Sequence, residues 1–142
     1  MCIICDRVKM AKEGSFAPFV HEFDTSILVI GEHQYFQGYC VLHHKNCVSD
    51  ITELSGDNQQ KYFSELMEAA EAIKEVFKPD RLNFSSLGNV VSHLHYHIFP
   101  RYEEELSKKD KKDPWANAEE FSQFIPTDQE YKDLASRIKA VL

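Results

Sequence analysis

Residues 93–101 read HLHYHIFPR, with histidines at positions 93, 95 and 97. Alternate side chains of a β-strand point to the same face. The spacing therefore predicts a strand, His95–Arg101 with His93 leading into it, that places three imidazoles on one surface, about 7 Å between neighbours. The apolar residues of the segment are expected to face the core for the most part: Leu94, Tyr96, Ile98 and Phe99.

Three adjacent imidazoles suit several kinds of chemistry. Imidazole transfers protons near neutral pH, attacks phosphorus through a neutral nitrogen, and binds zinc. A phosphate-processing site, a three-histidine metal centre and a set of plain surface histidines therefore stay open. The flanks favour phosphate, because Gly88 permits close backbone approach to a ligand and Asn89 can donate to a phosphate oxygen. Arg101 could clamp phosphate, or it could pair with Glu103 or Glu104.

The bulk properties describe one folded domain, taken as residues 1–142. Hydrophobic residues make up 43% and charged residues 27% of the 142-residue chain, which is typical of globular proteins. No apolar run is long enough to cross a membrane, and the N-terminus does not resemble a secretory signal. A cytoplasmic location is therefore expected. The net charge of −7 argues against nucleic-acid binding, and the basic run 108–112 is interpreted as a solvated loop.

The periodicity of the chain predicts an α+β domain with a mostly antiparallel sheet. β-rich segments bounded by turns predict five strands: Phe19–Phe23, Ser26–Ile30, Tyr39–His43, Arg81–Ser86 and His95–Arg101. Apolar residues at helical spacing predict a long helix from about Asp57, its N-cap, to Phe77 and a C-terminal helix after Thr127. The core face of the long helix comprises Tyr62, Leu66, Ala69, Ala70, Ile73 and Phe77, and that of the last helix comprises Tyr131, Leu134, Ile138 and Val141.

The sequence resembles the histidine-triad (HIT) family. The resemblance is carried by the His-x-His-x-His run with apolar spacers, by Gly88-Asn89 before it and by Phe99-Pro100-Arg101 at its end. It extends to Cys2-x-x-Cys5, to Gly38-Tyr39 with Lys45 after it, and to Asp113-Pro114-Trp115. The last segment, and Val90 where the phosphoramidase-like branch has a hydroxyl residue, resemble the branch of bacterial diadenosine tetraphosphate hydrolase-like proteins.

This resemblance implies a fold, a reaction and a set of roles. The implied fold is a sheet of about five antiparallel strands with helices, commonly in a homodimer. His95 would attack the α-phosphate of a nucleotide, with adenine as the expected base, and water would release the nucleotidyl group. The carbonyl of His93 would orient His95, and His97 would bond the phosphate or the leaving oxygen. No cofactor would be needed for this chemistry.

The same resemblance suggests a substrate site. Phosphate would contact Asn89, with help from Asn83, and Gln34 is the residue chosen for the ribose. The base and ribose would lie near Phe19, Phe23, Ile30 and the loop Glu32-His33-Gln34. Alternative functions are a nucleoside phosphoramidase or nucleotidyl transferase of the same superfamily, a nucleotide-binding regulator with slow turnover, and a three-histidine metalloenzyme.

Cys2-x-x-Cys5 is half of a structural zinc site. In related proteins two histidines complete it, one from a Lys-x-His segment and one from the start of the triad. Here the segment reads Lys45-Asn46-Cys47, so the resemblance suggests a Cys3His site formed by Cys2, Cys5, Cys47 and His93. The alternative is that Cys2 and Cys5 pack as small apolar residues at a frayed terminus. Cys40, inside a strand, is expected in the core.

Three further residues carry weaker signals. His43 and His44 are adjacent, so a strand sends them to opposite faces. One of the two could border the pocket, but surface exposure is the expected outcome. Trp115 is interpreted either as a cover over the pocket or as a packing anchor.

Overall fold

The computed structural model describes residues 2–106, 113–115 and 118–142. It is an α+β fold, as predicted. The strands are β1 Phe19–Glu22, β2 Ser26–Ile30, β3 Cys40–His44, β4 Arg81–Ser85 and β5 His95–Arg101. The helices are α1 Ile3–Glu13, α2 Gly56–Phe77, α3 Glu103–Leu106, α4 Ala118–Phe121 and α5 Asp128–Lys139, with short 3₁₀ turns at Ile51–Glu53 and Ser122–Phe124.

The five strands form one antiparallel sheet in the order β1-β2-β3-β5-β4. The central pair, β3 and β5, brings together segments that are far apart in the chain. Its register sets His43 opposite His95 and Val41 opposite His97. Directly paired residues share a face of the sheet, so this register places a third-strand histidine beside the triad.

The sheet is covered on both faces. One face packs against α2 and α5, around a core that includes Leu28, Leu42, Tyr62, Ile73 and Ile138. The other face, which carries the triad strand's alternate residues, packs against α1 and the segment at Phe121. Because both faces are buried, the apolar residues of β5 pack into two separate cores. Ile98 lies in the core under α2, and Phe99 lies in the core under α1.

Both long helices follow their predicted patterns. Ser55, rather than Asp57, caps α2 by accepting from the backbone N–H of Asn58, and Lys78 ends it in the left-handed conformation at φ 50°. Thr127 forms a reciprocal capping box with Glu130 at the start of α5, as its side chain predicts. The predicted core residues of α2 are buried or pack against the core, whereas Val141 lies beyond α5 and is exposed.

The N-terminal helix α1 was not predicted. The three strands predicted in the first third are present as β1, β2 and β3. The alternative that Cys2 and Cys5 lie on a frayed terminus is wrong, because Cys2 is the N-cap of α1 and Cys5 lies within it. Ile4, Val8 and Ala11 are buried at helical spacing, and Gly14 ends the helix in the left-handed conformation. The sequence held this signal, an apolar stripe followed by a C-terminal glycine.

Two remaining expectations concern a membrane-spanning segment and the basic run. No helix among residues 2–106, 113–115 and 118–142 has the length and apolar character needed to cross a membrane. The basic run 108–112, interpreted as a solvated loop, lies outside the described residues.

Candidate active site

The three histidines of the triad are divided between a strand and the segment before it. His95 and His97 lie in β5, whose ladder begins at His95. His93 precedes the strand, and its imidazole is 2% exposed and turned towards the cysteines of the N-terminus. The alternation rule holds only within the ladder, so it could not place His93.

The backbone before β5 determines which nitrogen of His95 carries the proton. Nδ1 of His95 lies 2.6 Å from the carbonyl oxygen of His93. A carbonyl only accepts hydrogen bonds, so Nδ1 must donate, and the neutral ring then has its lone pair on Nε2. This arrangement agrees with the role suggested for the His93 carbonyl.

His97 is held by a tyrosine and by aromatic rings. Its Nδ1 lies 2.6 Å from the hydroxyl of Tyr39, and its ring stacks on Phe99. Burial lowers the pKa of His97 to about 3 and raises the pKa of Tyr39. Both groups are therefore neutral at physiological pH. A Tyr39 O–H that donates to Nδ1 leaves the N–H of His97 on Nε2.

A cavity of about 630 Å³ opens over these histidines, a size that suits a small-molecule ligand. Its lining includes His95, His97, Gly88 and Asn89. Gly88 has a φ of 67°, which favours glycine. Trp115 lines the cavity with its ring edge-on to His97 at 4.7 Å, and therefore covers the pocket of its own chain.

Three residues that were predicted to contact the substrate lie outside the cavity. The Gln34 amide donates to the carbonyls of His33 and Tyr39 and accepts from the N–H of Gly38, so it braces its own loop. Arg101 donates to Asn83 at 2.9 Å and lies over the ring of Phe36. None of Gln34, Asn83 and Arg101 lines the cavity.

Some of the residues expected beside the base also lie away from the cavity. Phe23 and Ile30 pack in the core under α2, on the opposite face of the sheet. Phe19 borders a separate cavity of about 330 Å³ near α5. Glu32 and His33 do line the histidine cavity. The strand positions had been identified correctly, but the sequence did not show which face of β1 and β2 meets the ligand.

Three residues of this site were missed. Arg7 and Tyr39 line the cavity without having been singled out for it. His43, expected on the surface, is 1% exposed and lies with its ring 6.3 Å from that of His95. His44 is buried as well, on the other face beside Tyr62. The central position of β3 explains both histidines, because a central strand has no solvent-facing side when both sheet faces are covered.

Cys2, Cys5, Cys47 and His93 come together behind the triad. One ligand atom from each lies within 4.8 Å of every other. The Nε2 N–H of His93 donates to the carbonyl of His44 at 2.6 Å, so Nδ1 presents its lone pair to the sulfurs of Cys2 and Cys5 at 3.3 and 3.5 Å. Burial and the two neighbouring sulfurs raise the pKa of Cys5 to about 12. Three sulfurs and one imidazole nitrogen are a donor set that can hold a metal. Cys40, as expected, is buried in the core.

Known proteins share this sequence pattern and fold. The HIT domain model matches residues 16–104. The chain is 27% identical over 106 residues to Protein hit of Bacillus subtilis (strain 168), and the match covers 71% of each chain. A histidine triad protein from Marinobacter aquaeolei VT8 superposes with a TM-score of 0.74 at 21% identity, over 89% of this chain and 90% of that chain. A Zn-bound histidine triad family protein from Mycobacterium smegmatis gives 0.65 at 17% identity, over 99% and 91%.

The two structures share too little sequence to show more than the fold. The domain model, however, spans most of this chain, from the entry into β1 to the end of the triad strand. The match includes Tyr39, Gly88, Asn89, His95 and His97, which line the cavity, and His93 behind them. The chain therefore belongs to the histidine-triad (HIT) domain family.

Proposed function

We propose that this protein is a nucleotide-binding hydrolase that attacks the α-phosphate of nucleoside polyphosphates, such as diadenosine tetraphosphate, through a nucleotidyl-histidine intermediate. The observation that carries the proposal is the hydrogen bond from Nδ1 of His95 to the carbonyl of His93. It leaves the lone pair of a neutral imidazole on Nε2, in a cavity large enough for a nucleotide. A neutral imidazole nitrogen is a competent nucleophile at phosphorus.

The reaction balances in two steps. In the first, Nε2 of His95 forms an N–P bond while the bond from phosphorus to the bridging oxygen breaks. The N–H of His97 then stands as the donor to the departing oxygen, because the Tyr39 hydroxyl occupies its Nδ1. In the second step water attacks the phosphoramidate, the N–P bond breaks and the nucleoside monophosphate leaves. Each step has a lower barrier than direct hydrolysis.

The loop before β5 supplies the remaining polar contacts in this proposal. Gly88 and Asn89 line the cavity beside the histidines, and the Asn89 amide can donate to a phosphoryl oxygen. Donors held in place before the reaction stabilise charge that develops on phosphorus. Trp115, edge-on to His97, would limit the access of water to the reacting atoms.

We infer that the cysteine cluster holds a structural zinc ion. The donor set fits, since the lone pair of His93 Nδ1 already faces the sulfurs, and the relative from Mycobacterium smegmatis is Zn-bound. A bound zinc would replace the protons of the three thiols and hold them as thiolates. It would tie α1 to His93, whose carbonyl orients His95, and so position the nucleophile from behind.

We further propose a homodimer through the outer side of α2 and β4. Phe63 and Met67, four residues apart on α2, are 41% and 46% exposed, and Phe84 on β4 is 43% exposed. The ring of Phe63 contacts that of Tyr96, so the apolar surface continues onto the sheet. β4 is an edge strand, whose unpaired backbone groups can accept a second chain.

The test of the hydrolase is product analysis without added metal, on a mixture of diadenosine and diguanosine tetraphosphate so that the base does not decide the outcome. The wild type should release a nucleoside monophosphate and a triphosphate. The His95→Ala variant should release neither and should still bind nucleotide, because His95 acts on the transition state. Symmetric cleavage to two diphosphates, or full activity in His95→Ala, would contradict the proposal.

A covalent adduct gives an independent readout. Rapid acid-free quenching followed by mass spectrometry of the intact chain should detect the mass of one nucleotidyl group on the wild type. His97→Ala should form the adduct more slowly, since the leaving oxygen then lacks its donor.

A further inference from the structure

The cavity lining also holds a charged pair that the phosphate chemistry does not use. Arg7 and Glu32 both line it, and Nη2 of Arg7 donates to Glu32 at 2.5 Å. The Arg7 side chain is 21% exposed and the Glu32 side chain 73%. The pair joins α1 to the loop after β2, so one side of the cavity presents guanidinium donors beside a carboxylate acceptor.

Two further histidines that line the cavity have incomplete hydrogen bonding. Within the described part of the chain, the buried side-chain atoms without a partner are Nδ1 of His33 and Nδ1 of His43, and both residues line the cavity. Buried polar atoms are nearly always paired in folded proteins, with protein, water or ligand. Burial lowers the pKa of both histidines, so each neutral ring offers one donor and one acceptor. These two ring atoms are therefore complementary to a polar ligand group rather than to an apolar one.

Resting on the proposed nucleotide site, we propose that Arg7 and Glu32 contact the nucleobase and select guanine, in place of the adenine that the family resemblance implies. Guanine presents two adjacent acceptors, O6 and N7, which match the donors of a guanidinium group. Its N1–H and amino group are donors that match a carboxylate. Adenine places an amino donor where guanine has O6 and an acceptor where guanine has N1–H, so it opposes both members of the pair.

The ion pair could instead serve only to fasten α1, and the guanidinium could instead contact phosphate. These roles differ in what they predict. If the ion pair only holds α1 in place, its removal lowers the stability of the protein and changes the affinities for GMP and AMP equally. A phosphate contact also weakens both nucleotides alike, whereas a base contact changes only the preference between them.

The experiment is calorimetric titration of the full chain with GMP and with AMP, in wild type, Arg7→Met, Arg7→Lys, Glu32→Gln and the control Lys9→Met. Lys9 lies on the exposed side of α1, in a pair with Glu13. Wild type and Lys9→Met should bind GMP about tenfold more tightly than AMP, since a bidentate contact discriminates by roughly that factor or more. Arg7→Met and Glu32→Gln should lose that ratio, with AMP affinity changed less than about twofold. Arg7→Lys keeps the charge without the planar fork, so it should retain little of the preference even if Arg7→Met folds poorly.

Two results would overturn the inference alone: equal affinity of the wild type for GMP and AMP, or an equal loss of both affinities in Arg7→Met and Arg7→Lys. If neither GMP nor AMP binds the wild type, the proposed function is overturned, and the base preference with it. The two failures are therefore distinguishable.

Discussion

The protonation state of His97 is set by the rings around it. Its imidazole is packed against Phe99, Trp115 and Tyr39, which exclude water and favour the uncharged form. The lowered pKa of about 3 keeps a neutral donor in the cavity over the whole physiological range. Because a neutral His97 carries no positive charge, the negative charge of the substrate must be stabilised by dipoles and by other groups.

The same burial predicts an acid-sensitive fold. In the unfolded chain His97 takes up a proton below about pH 6.5, its ordinary value, while in the folded protein it stays neutral down to about 3. Its contribution to the free energy of unfolding is therefore present above pH 6.5 and is lost as the pH falls towards 3, at up to about 1.4 kcal/mol per pH unit. Urea unfolding of wild type and His97→Gln at pH 5.0 and 6.5 checks this. An equal pH slope in the two proteins would contradict it.

At the level of elements, a carboxylate joins α2 to the turn between β1 and β2. Glu65 is 5% exposed and accepts from the Thr25 N–H at 2.8 Å, the Thr25 hydroxyl at 2.7 Å and the Ser26 hydroxyl at 2.5 Å. Bonds to a charged acceptor are the stronger kind.

Replacing Glu65 should therefore be costly. Glu65→Leu leaves the partners in the turn without an acceptor, and we expect a loss of about 3 kcal/mol in the free energy of unfolding. The matched control is Glu68→Leu on the exposed side of the same helix, which should change stability by less than about 0.5 kcal/mol. Chemical denaturation of both variants measures the difference, and comparable losses would refute the role of the buried carboxylate.

A close approach between β2 and β3 supports the active site. A Cβ at Gly31 would lie 2.1 Å from the ring of Tyr39, the residue whose hydroxyl contacts His97. Gly31→Ala should therefore displace Tyr39, destabilise the protein by about 1–3 kcal/mol and lower the rate of hydrolysis. Gly56→Ala, where a Cβ meets no atom within 4 Å, is the control and should keep full activity. Thermal melting and turnover, measured together, test whether the site depends on this contact; an unchanged rate in Gly31→Ala would show that it does not.

On the scale of the whole molecule, the cysteine cluster joins the start of α1 to His93, whose carbonyl contacts His95. We expect one zinc ion per chain by elemental analysis, a lower melting temperature after chelation, and recovery when zinc is returned. Cys47→Ser should bind zinc more weakly. Cys40→Ala should keep the full zinc content, because Cys40 lies in the core away from the cluster. The proposal would be refuted if the purified wild-type protein contains no metal and added zinc does not change its melting temperature.

The proposed dimer is also a property of the whole molecule. Sedimentation equilibrium should give twice the chain mass of 16.5 kDa. Met67→Glu should shift the mass to that of one chain, because it places a charge in the apolar patch. Met10→Glu, at an exposed position of α1, should leave the assembly unchanged. A wild-type mass of one chain at micromolar concentration would end the dimer proposal.

The sequence by itself determined the α+β class, the five strands, both long helices and the position of β5, since these follow from periodicity, caps and turn residues within short windows. It also grouped Cys2, Cys5, Cys47 and His93, although only through a resemblance. The tertiary structure decided what depends on pairing and on which layer covers each face: the turn of His93 towards the cysteines, the burial of His43, the bracing role of Gln34, and the entry of Arg7 into the cavity. These contacts join residues that are distant in the chain, and no local pattern carries the register or the packing that brings them together.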